Sequence, residues 1–141
     1  MGKILLLIIG LHLFQDIRVA TFSTGKADTG NYESLSFWIK GGKRAYIRYA
    51  NGKDVEDIDL NYQGLDYSTG KTGFKVVFPD NKNLFYIVPV GDTLLVTDKT
   101  KIYHKLFIWE NEGSTDSLSN CAICATDAKD AMGIVREYFL K

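Results

Sequence analysis

The two cysteines, Cys121 and Cys124, are separated by two residues, a spacing found in redox motifs, in zinc sites and in short disulfides. A redox pair normally places its first thiol at the N-terminus of a helix, whereas both cysteines here precede the predicted C-terminal helix. Zinc normally takes four ligands, and the chain offers only His12 and His104 as histidines. We therefore predict a structural disulfide between Cys121 and Cys124, with unpaired buried thiols as the alternative, and neither a metal site nor a cofactor.

Carboxylates and one histidine are the other groups that could support catalysis. Four carboxylates fall in one acidic run, KDVEDIDLNY, whose spacing does not suit the glycine-centred turn of a calcium loop. His104 alternates with Ile102, Leu106 and Ile108, a pattern more typical of a histidine in or at the rim of an apolar core than of a catalytic base. No G-x-S-x-G elbow accompanies it. A hydrolase that uses carboxylates from separate strands remains an alternative.

Basic and aromatic residues alternate in the segment KGGKRAYIRYANGK, a composition that can stack bases or contact lipid headgroups. A two-residue turn at Asn51-Gly52 would, however, pair this segment with the acidic run, so that Arg44 faces Asp59 and Tyr46 faces Asp57. Opposite charges across two strands stabilise such a register by about 0.2–1 kcal/mol. Basic and acidic residues are also equal in number, 17 each. The sequence therefore predicts a solvated, salt-paired face and no nucleic-acid partner.

Aromatic residues are the most informative feature of the chain. Many lie on predicted strands, enough to fill a small barrel or to line a cavity or a binding face. From this set and the histidine we select the candidates for binding a small apolar ligand: Trp38, Tyr46, Tyr86, His104 and Trp109. Packing inside the core is the alternative use of these rings.

Short β-like runs at regular spacing must position these side chains. Turn residues bound each run, including Gly41-Gly42 and Asn51-Gly52, so that successive runs form hairpins. The predicted strands are 34–40, 43–50, 53–62, 74–78, 84–90, 92–97 and 100–110, with 16–22 as an eighth if it belongs to the mature fold.

The hydrophobic period changes near the C-terminus. One apolar stripe of a helix comprises Ala128, Ala131, Met132, Val135, Tyr138 and Phe139. Thr126 or Asp127, both good N-caps, begins this helix. The sequence therefore predicts a mainly β fold: an antiparallel meander of seven or eight strands, closed as a barrel or folded as a two-sheet sandwich, with one amphipathic C-terminal helix.

The N-terminus has one lysine followed by an apolar run from Ile4 to Phe14. This run is shorter than the ~20 residues that span a bilayer and is typical of a signal peptide. We predict that residues 1–23 are a signal peptide and that residues 24–141 form a single β-rich domain, exported to the periplasm or secreted, without stable membrane insertion after processing. A buried strand is the alternative interpretation of the apolar run.

No single motif identifies an activity. A chain of 141 residues is long enough for one hydrophobic core without metals. The absence of a specific catalytic motif and the abundance of aromatic residues favour a non-catalytic exported module that binds a small apolar ligand or a protein partner. The alternative is the small hydrolase described above.

Overall fold

The fold is a closed antiparallel β-barrel of eight strands in sequence order, followed by one helix. This computed structural model describes residues 16–25, 31–40, 44–52, 58–80, 82–110 and 124–141. The predicted mainly β meander with a C-terminal helix is confirmed. Of the two predicted architectures, the barrel is the one that forms.

Most strands follow the predicted runs to within two residues, but the fourth continues to Asp66, four residues beyond its predicted end at Tyr62. The strands are β1 (Asp16–Thr24), β2 (Glu33–Lys40), β3 (Arg44–Asn51), β4 (Ile58–Asp66), β5 (Gly73–Val77), β6 (Leu84–Val90), β7 (Thr93–Asp98) and β8 (His104–Trp109), and the helix is α1 (Ala128–Phe139). The last strand begins four residues later than the predicted start at Thr100. The reason is a turn in which the Lys101 N–H donates to the Asp98 carbonyl oxygen, with Lys101 at a φ of 63°.

Closure of the barrel depends on β1. This strand pairs with β2 along its length, with a bulge between Arg18 and Ala20, and meets β8 at Phe22–Trp109 and Ser23–Ile108. Strand β1 lies largely within the segment predicted as a signal peptide. It is the eighth strand, whose presence the sequence did not decide. Residues 1–15 lie outside the described part of the chain, so processing of the N-terminus stays a prediction.

Alternation along the strands fills the barrel with apolar side chains. Phenylalanines dominate the centre, where Phe22, Phe37, Phe74 and Phe107 are fully buried. Edge-to-face contacts such as Phe22–Phe37, with ring centroids 5.7 Å apart, order this core. The barrel interior is therefore packed rather than hollow.

Helix α1 covers one end of the barrel. Its buried face consists of Ala131, Met132, Val135 and Phe139. The ring of Phe139 lies 5.4 Å from those of both Phe37 and Phe74. Because these two rings point into the barrel from β2 and β5, the helix closes the opening beside them. Among the described residues, no helix has the length and apolar character that a membrane span requires.

Local side-chain hydrogen bonds fix the start of α1. Asp127 caps the helix, with its Oδ1 accepting from the Asp130 N–H at 2.7 Å. The Asp130 carboxylate in turn accepts from the Thr126 N–H at 3.1 Å. This reciprocal arrangement satisfies amide groups that have no partner within the helix, and it confirms the predicted start.

The predicted register between β3 and β4 is wrong. A turn at Asn51-Gly52 would place Arg44 opposite Asp59, whereas the structure places Arg48 there. The observed pairs are centred two residues later in the chain than the predicted turn, because Asn51 still belongs to β3, where it pairs with Glu33 of β2. A salt-paired face exists nonetheless, because Arg48 Nε lies 2.7 Å from Asp59 Oδ1. The predicted pairing of Tyr46 with Asp57 involves a residue outside the described part of the chain.

Candidate functional site

The predicted ligand residues Trp38 and Tyr46 lie together on the outer face of β2 and β3. They are directly opposite in register, and their rings are nearly parallel with centroids 6.2 Å apart. The Arg48 guanidinium carbon lies 4.7 Å from the Trp38 ring centroid and 5.2 Å from that of Tyr46. Asp59 holds the same guanidinium. This arrangement is a cation–π stack fixed by an ion pair.

Tyr86 and His104 lie on the outer face at another part of the barrel. Thr97 pairs with both of them, so the three residues form one row across β6, β7 and β8. The sequence placed His104 on an apolar face and predicted a core or rim position for it. That face is the exposed one: Ile102 is 88% exposed and Ile108 is 61% exposed.

Trp109, the fifth predicted residue, packs against the core from β8 and pairs with the buried Phe22. The five residues therefore occupy three separate places: the outer face of β2–β3, the outer face of β6–β8, and the edge of the core. The structure brings Trp38 and Tyr46 together and does not bring the others to them.

The cysteine prediction falls partly outside the described residues, because Cys121 is not among them. Cys124 is half-buried, with Sγ 3.4 Å from the backbone oxygen of Arg18. The disulfide stays a prediction. Within the described ranges, no three histidine, cysteine or acidic residues are grouped so as to hold a metal ion.

A buried carboxylate lies at the end of the barrel away from α1. Glu33, at the start of β2, is 5% exposed. Its Oε1 accepts hydrogen bonds from the Tyr49 hydroxyl at 2.6 Å and the Tyr103 hydroxyl at 3.0 Å, and its Oε2 pairs with Lys105 Nζ. Donors therefore engage both oxygens. This carboxylate is suited to holding side chains in place rather than to accepting a proton from a substrate.

Four aromatic rings complete a closed circuit with Glu33. Ring centroids are 5.0 Å apart for Tyr49 and Phe78, 5.1 Å for Phe78 and Phe85, and 5.2 Å for Phe85 and Tyr103. The two tyrosine hydroxyls meet on the same Glu33 oxygen. We call these five residues the aromatic latch. It closes the second end of the barrel.

The space beneath the aromatic latch is small. The cavity there measures about 30 Å³, and apolar residues line its floor, including Leu35, Leu60, Val76 and Phe107. A water molecule needs roughly 10–15 Å³ on this measure, so the cavity has room for about two. The barrel interior as folded is therefore too small for an organic ligand.

Burial raises the pKa values of four tyrosines, which are Tyr32, Tyr49, Tyr62 and Tyr103. Burial and then the hydrogen bond to Glu33 raise the pKa of Tyr49, and burial and then the negative charge of Glu33 raise the pKa of Tyr103. The pKa of Tyr32 rises to about 12, because the residue is partly buried and its hydroxyl donates to Glu110 Oε2 at 2.6 Å. Each phenol therefore keeps its proton at a pH where a free tyrosine loses it.

These shifts predict a loss of stability at alkaline pH. Below about pH 10 the phenols are protonated in both the folded and the unfolded chain. As the pH rises through the folded pKa of Tyr32, about 12, the unfolded chain has already released protons that the folded chain retains. The free energy of unfolding must then fall.

Urea unfolding at a series of pH values from about 8 to about 12 measures this fall. In the variant Tyr32→Phe we expect a smaller fall above about pH 10, because one titrating group is gone. A free energy of unfolding that stays constant over this range would contradict the assignment.

A larger cleft lies at the seam between β3 and β4. Among the described residues, β4 pairs with β3 at 47–49 and 58–60, whereas β2 pairs with β3 along its whole length. Beyond the paired stretch, a cleft of about 490 Å³ opens toward the end of α1. We call it the seam cleft, and the described residues that line it are Ala45, Tyr46, Ile47, Leu60, Asn61, Tyr62, Tyr138 and Phe139.

The walls of the seam cleft are held in place. The Tyr62 hydroxyl donates to the Phe139 carbonyl oxygen at 2.8 Å, which fixes the end of α1 to β4. The Tyr62 ring also lies 5.7 Å from that of Phe139. A bulge follows Tyr62, where Gly64 adopts a φ of 101°, a conformation that favours glycine. The cleft is therefore a formed feature of the barrel.

Sequence reasoning found one residue of the seam cleft, Tyr46, and missed the aromatic latch as a unit. Tyr49, Phe78 and Phe85 were recognised only as aromatic residues on strands. A signal for the latch was present, because Tyr103 and Lys105 alternate with His104 and so belong to the opposite face. Only the closed barrel shows which of the two faces of β8 points inward.

The site thus combines a small-molecule-sized cleft, a sealed interior and an aromatic stack beside the cleft. Comparisons with protein-family models, with curated proteins and with solved structures find no match to this chain.

Proposed function

We propose that this protein is a non-catalytic, exported binding module that holds a small, mainly apolar molecule in the seam cleft. The observation that carries the proposal is the volume of that cleft, about 490 Å³. Small-molecule sites in proteins typically measure about 300–1,000 Å³. The cavity under the aromatic latch, about 30 Å³, is far below this range.

The lining of the seam cleft supports an apolar ligand with a few polar groups. Ile47, Leu60 and Phe139 are buried and form an apolar floor. Tyr46 and Tyr138 present partly exposed rings at the rim. A tyrosine offers a large apolar surface and one hydroxyl, so it can contact hydrocarbon and also orient a polar group of the ligand.

The same lining favours binding over hydrolysis. The alternative function, a hydrolase with two carboxylates, needs acidic side chains on the wall of the site. Among the described residues that line the seam cleft, the polar side chains are tyrosine phenols and the amide of Asn61. Glu33, which is buried, lies instead at the other end of the barrel.

Binding of the neutral apolar dye Nile red, followed by its fluorescence, tests the proposal. The variant Tyr46→Ala removes one ring of the cleft wall, and we expect a Kd about tenfold higher, which corresponds to about 1.4 kcal/mol. The matched control is Tyr86→Ala, which removes an outward-facing tyrosine of β6 that does not line the cleft. Its Kd should equal that of the unchanged protein.

Equal weakening by Tyr46→Ala and Tyr86→Ala would contradict the proposed site, as would the failure of the dye to bind. A further control is Ile108→Ser, because loss of dye binding in that variant would place the dye on the exposed face of β8. Native mass spectrometry of the protein purified from its own host gives a second reading. A retained small molecule supports the proposal, whereas a co-purifying protein favours the protein-partner alternative.

A further inference from the structure

A second cleft lies on the other side of the helix end. The turn between β4 and β5, strand β6 and the end of α1 border an open cleft of about 430 Å³. Its lining consists of Lys71, Thr72, Pro89, Arg136, Leu140 and Lys141. We call it the basic cleft. It shares no lining residue with the seam cleft, because Tyr138 and Phe139 face one cleft while Arg136 and Leu140 face the other.

Three cationic side chains from two separate segments converge on the basic cleft. They are Lys71, Arg136 and Lys141, and no acidic side chain is among the described residues of the lining. The chain as a whole has a formal charge of zero. The concentration of positive charge is therefore local.

Stabilisation of α1 explains only part of this charge. Arg136 is the basic residue in the last helical turn, where a positive charge interacts favourably with the helix dipole. Lys71, in contrast, belongs to a turn that is remote in sequence from the helix. The dipole can attract this cation through space, but nothing in the helix requires the turn to carry a lysine there.

The segments that carry these cations are ordered. In the turn that precedes Lys71, the Gly70 N–H donates to the Tyr67 carbonyl oxygen at 3.1 Å. At the end of α1, the Leu140 N–H donates to the Arg136 carbonyl oxygen at 3.2 Å. The backbone beside Lys71 and at Arg136 is therefore ordered before any ligand binds, which lowers the entropic cost of binding.

From this geometry we infer that the basic cleft binds a small organic anion, namely a carboxylate that carries a short hydrocarbon chain. The planar guanidinium of Arg136 suits a carboxylate through two parallel N–H···O hydrogen bonds, and Lys71 adds a point charge. Half-buried Pro89 and Leu140 provide the apolar surface that contacts the hydrocarbon. The ligand therefore needs both a charged and an apolar part.

Titration of the ¹⁵N-labelled full chain with sodium octanoate, followed by amide chemical shifts, tests the inference. We expect saturable shifts at Thr72 and Leu140 with a Kd of about 1 mM. Acetate should bind at least about fivefold more weakly, because it lacks the hydrocarbon that octanoate buries. Inorganic phosphate that binds as tightly as octanoate would overturn the assignment to an organic anion.

A charge-matched pair of double variants makes the test specific. Lys71→Gln/Arg136→Gln removes two cations from the cleft, and we expect octanoate to bind at least about tenfold more weakly. Lys99→Gln/Lys129→Gln removes two exposed cations elsewhere and should leave the Kd unchanged. Equal effects of the two double variants, or no saturable shift in the unchanged protein, would overturn the inference.

This test is independent of the proposed function. Tyr46→Ala alters the seam cleft and should leave octanoate binding unchanged, while Lys71→Gln/Arg136→Gln should leave Nile red binding unchanged. Dispersed amide spectra of all variants confirm that each is folded. A loss of both ligands in any one variant would show that the two clefts are not separate sites, which contradicts the placement of Tyr46 and Arg136.

Discussion

A chain that begins at Thr24 is expected not to fold. Removing residues 1–23 deletes nearly all of β1, which carries Val19, Ala20 and the fully buried Phe22. Replacing one buried phenylalanine by alanine alone costs about 3–5 kcal/mol. A typical domain has a total stability of only about 5–15 kcal/mol, so the loss of the whole strand exceeds what the barrel can tolerate.

A chain that begins at Asp16 is the matched control, because it keeps every described strand. Circular dichroism and urea unfolding of the two chains provide the comparison. We expect cooperative unfolding for 16–141 and none for 24–141. Cooperative unfolding of 24–141 would show that β1 is dispensable. If export removes a leader, the expected failure of 24–141 to fold requires cleavage before Asp16. The predicted boundary after residue 23 would then be too late.

Replacement of Glu33 is expected to produce the largest effect of a single charged residue. In Glu33→Ala, the hydroxyls of Tyr49 and Tyr103 lose their acceptor and Lys105 loses its ion-pair partner. Leaving a buried polar group without a partner costs about 1–3 kcal/mol. The Lys105 side chain is 42% exposed, so solvent screens its contribution. We expect the free energy of unfolding to fall by about 2–3 kcal/mol in total.

The variant Glu33→Gln separates the charge from the hydrogen bonds. Its amide oxygen can still accept from one tyrosine while the negative charge is gone, so its loss of stability should be smaller than that of Glu33→Ala. Urea unfolding at neutral pH measures the free energy of unfolding of both variants. In Glu33→Ala, the pKa of Tyr49 should also move down toward its ordinary value, because one of its causes is removed. A loss of stability below about 0.5 kcal/mol, as for ordinary surface changes, would show that the latch is not energetically important.

Much of the fold was predictable because it depends on local periodicity. Two-residue alternation located the strands, and the change to a helical period located α1, with Asp127 at its start. These patterns follow from which side chains a strand or a helix can bury on one face. They need no knowledge of distant contacts.

Register and site depend on contacts that periodicity does not contain. Asn51-Gly52 has strong hairpin character, yet Asn51 is the last residue of β3 and pairs with Glu33 of β2. A shift by an odd number of residues would have reversed the faces of the strand, whereas the actual shift, from Arg44 to Arg48, preserves them. The residues of β3 on the solvated face were therefore predicted correctly, whereas the residues of β4 that pair with them were not.

The five predicted ligand residues do not form one site, for a related reason. His104 and Tyr103 are adjacent, and the apolar neighbours of His104 suggested that its face was the inner one. The structure puts Phe107, which shares a face with Tyr103, at 0% exposure. Only the whole barrel decides which of two apolar faces is enclosed. Tyr46 lines the seam cleft beside its buried neighbour Ile47.

The meeting of β1 and β8 has a consequence for how the polypeptide acquires its shape. The Tyr32–Glu110 hydrogen bond near this junction joins residues 78 positions apart in the sequence. Bringing together segments so far apart in the sequence costs conformational entropy before the contacts between them form. All-β topologies of this kind generally reach the native state in milliseconds to seconds, more slowly than helical bundles. During synthesis, the sheet cannot close until β8 has left the ribosome.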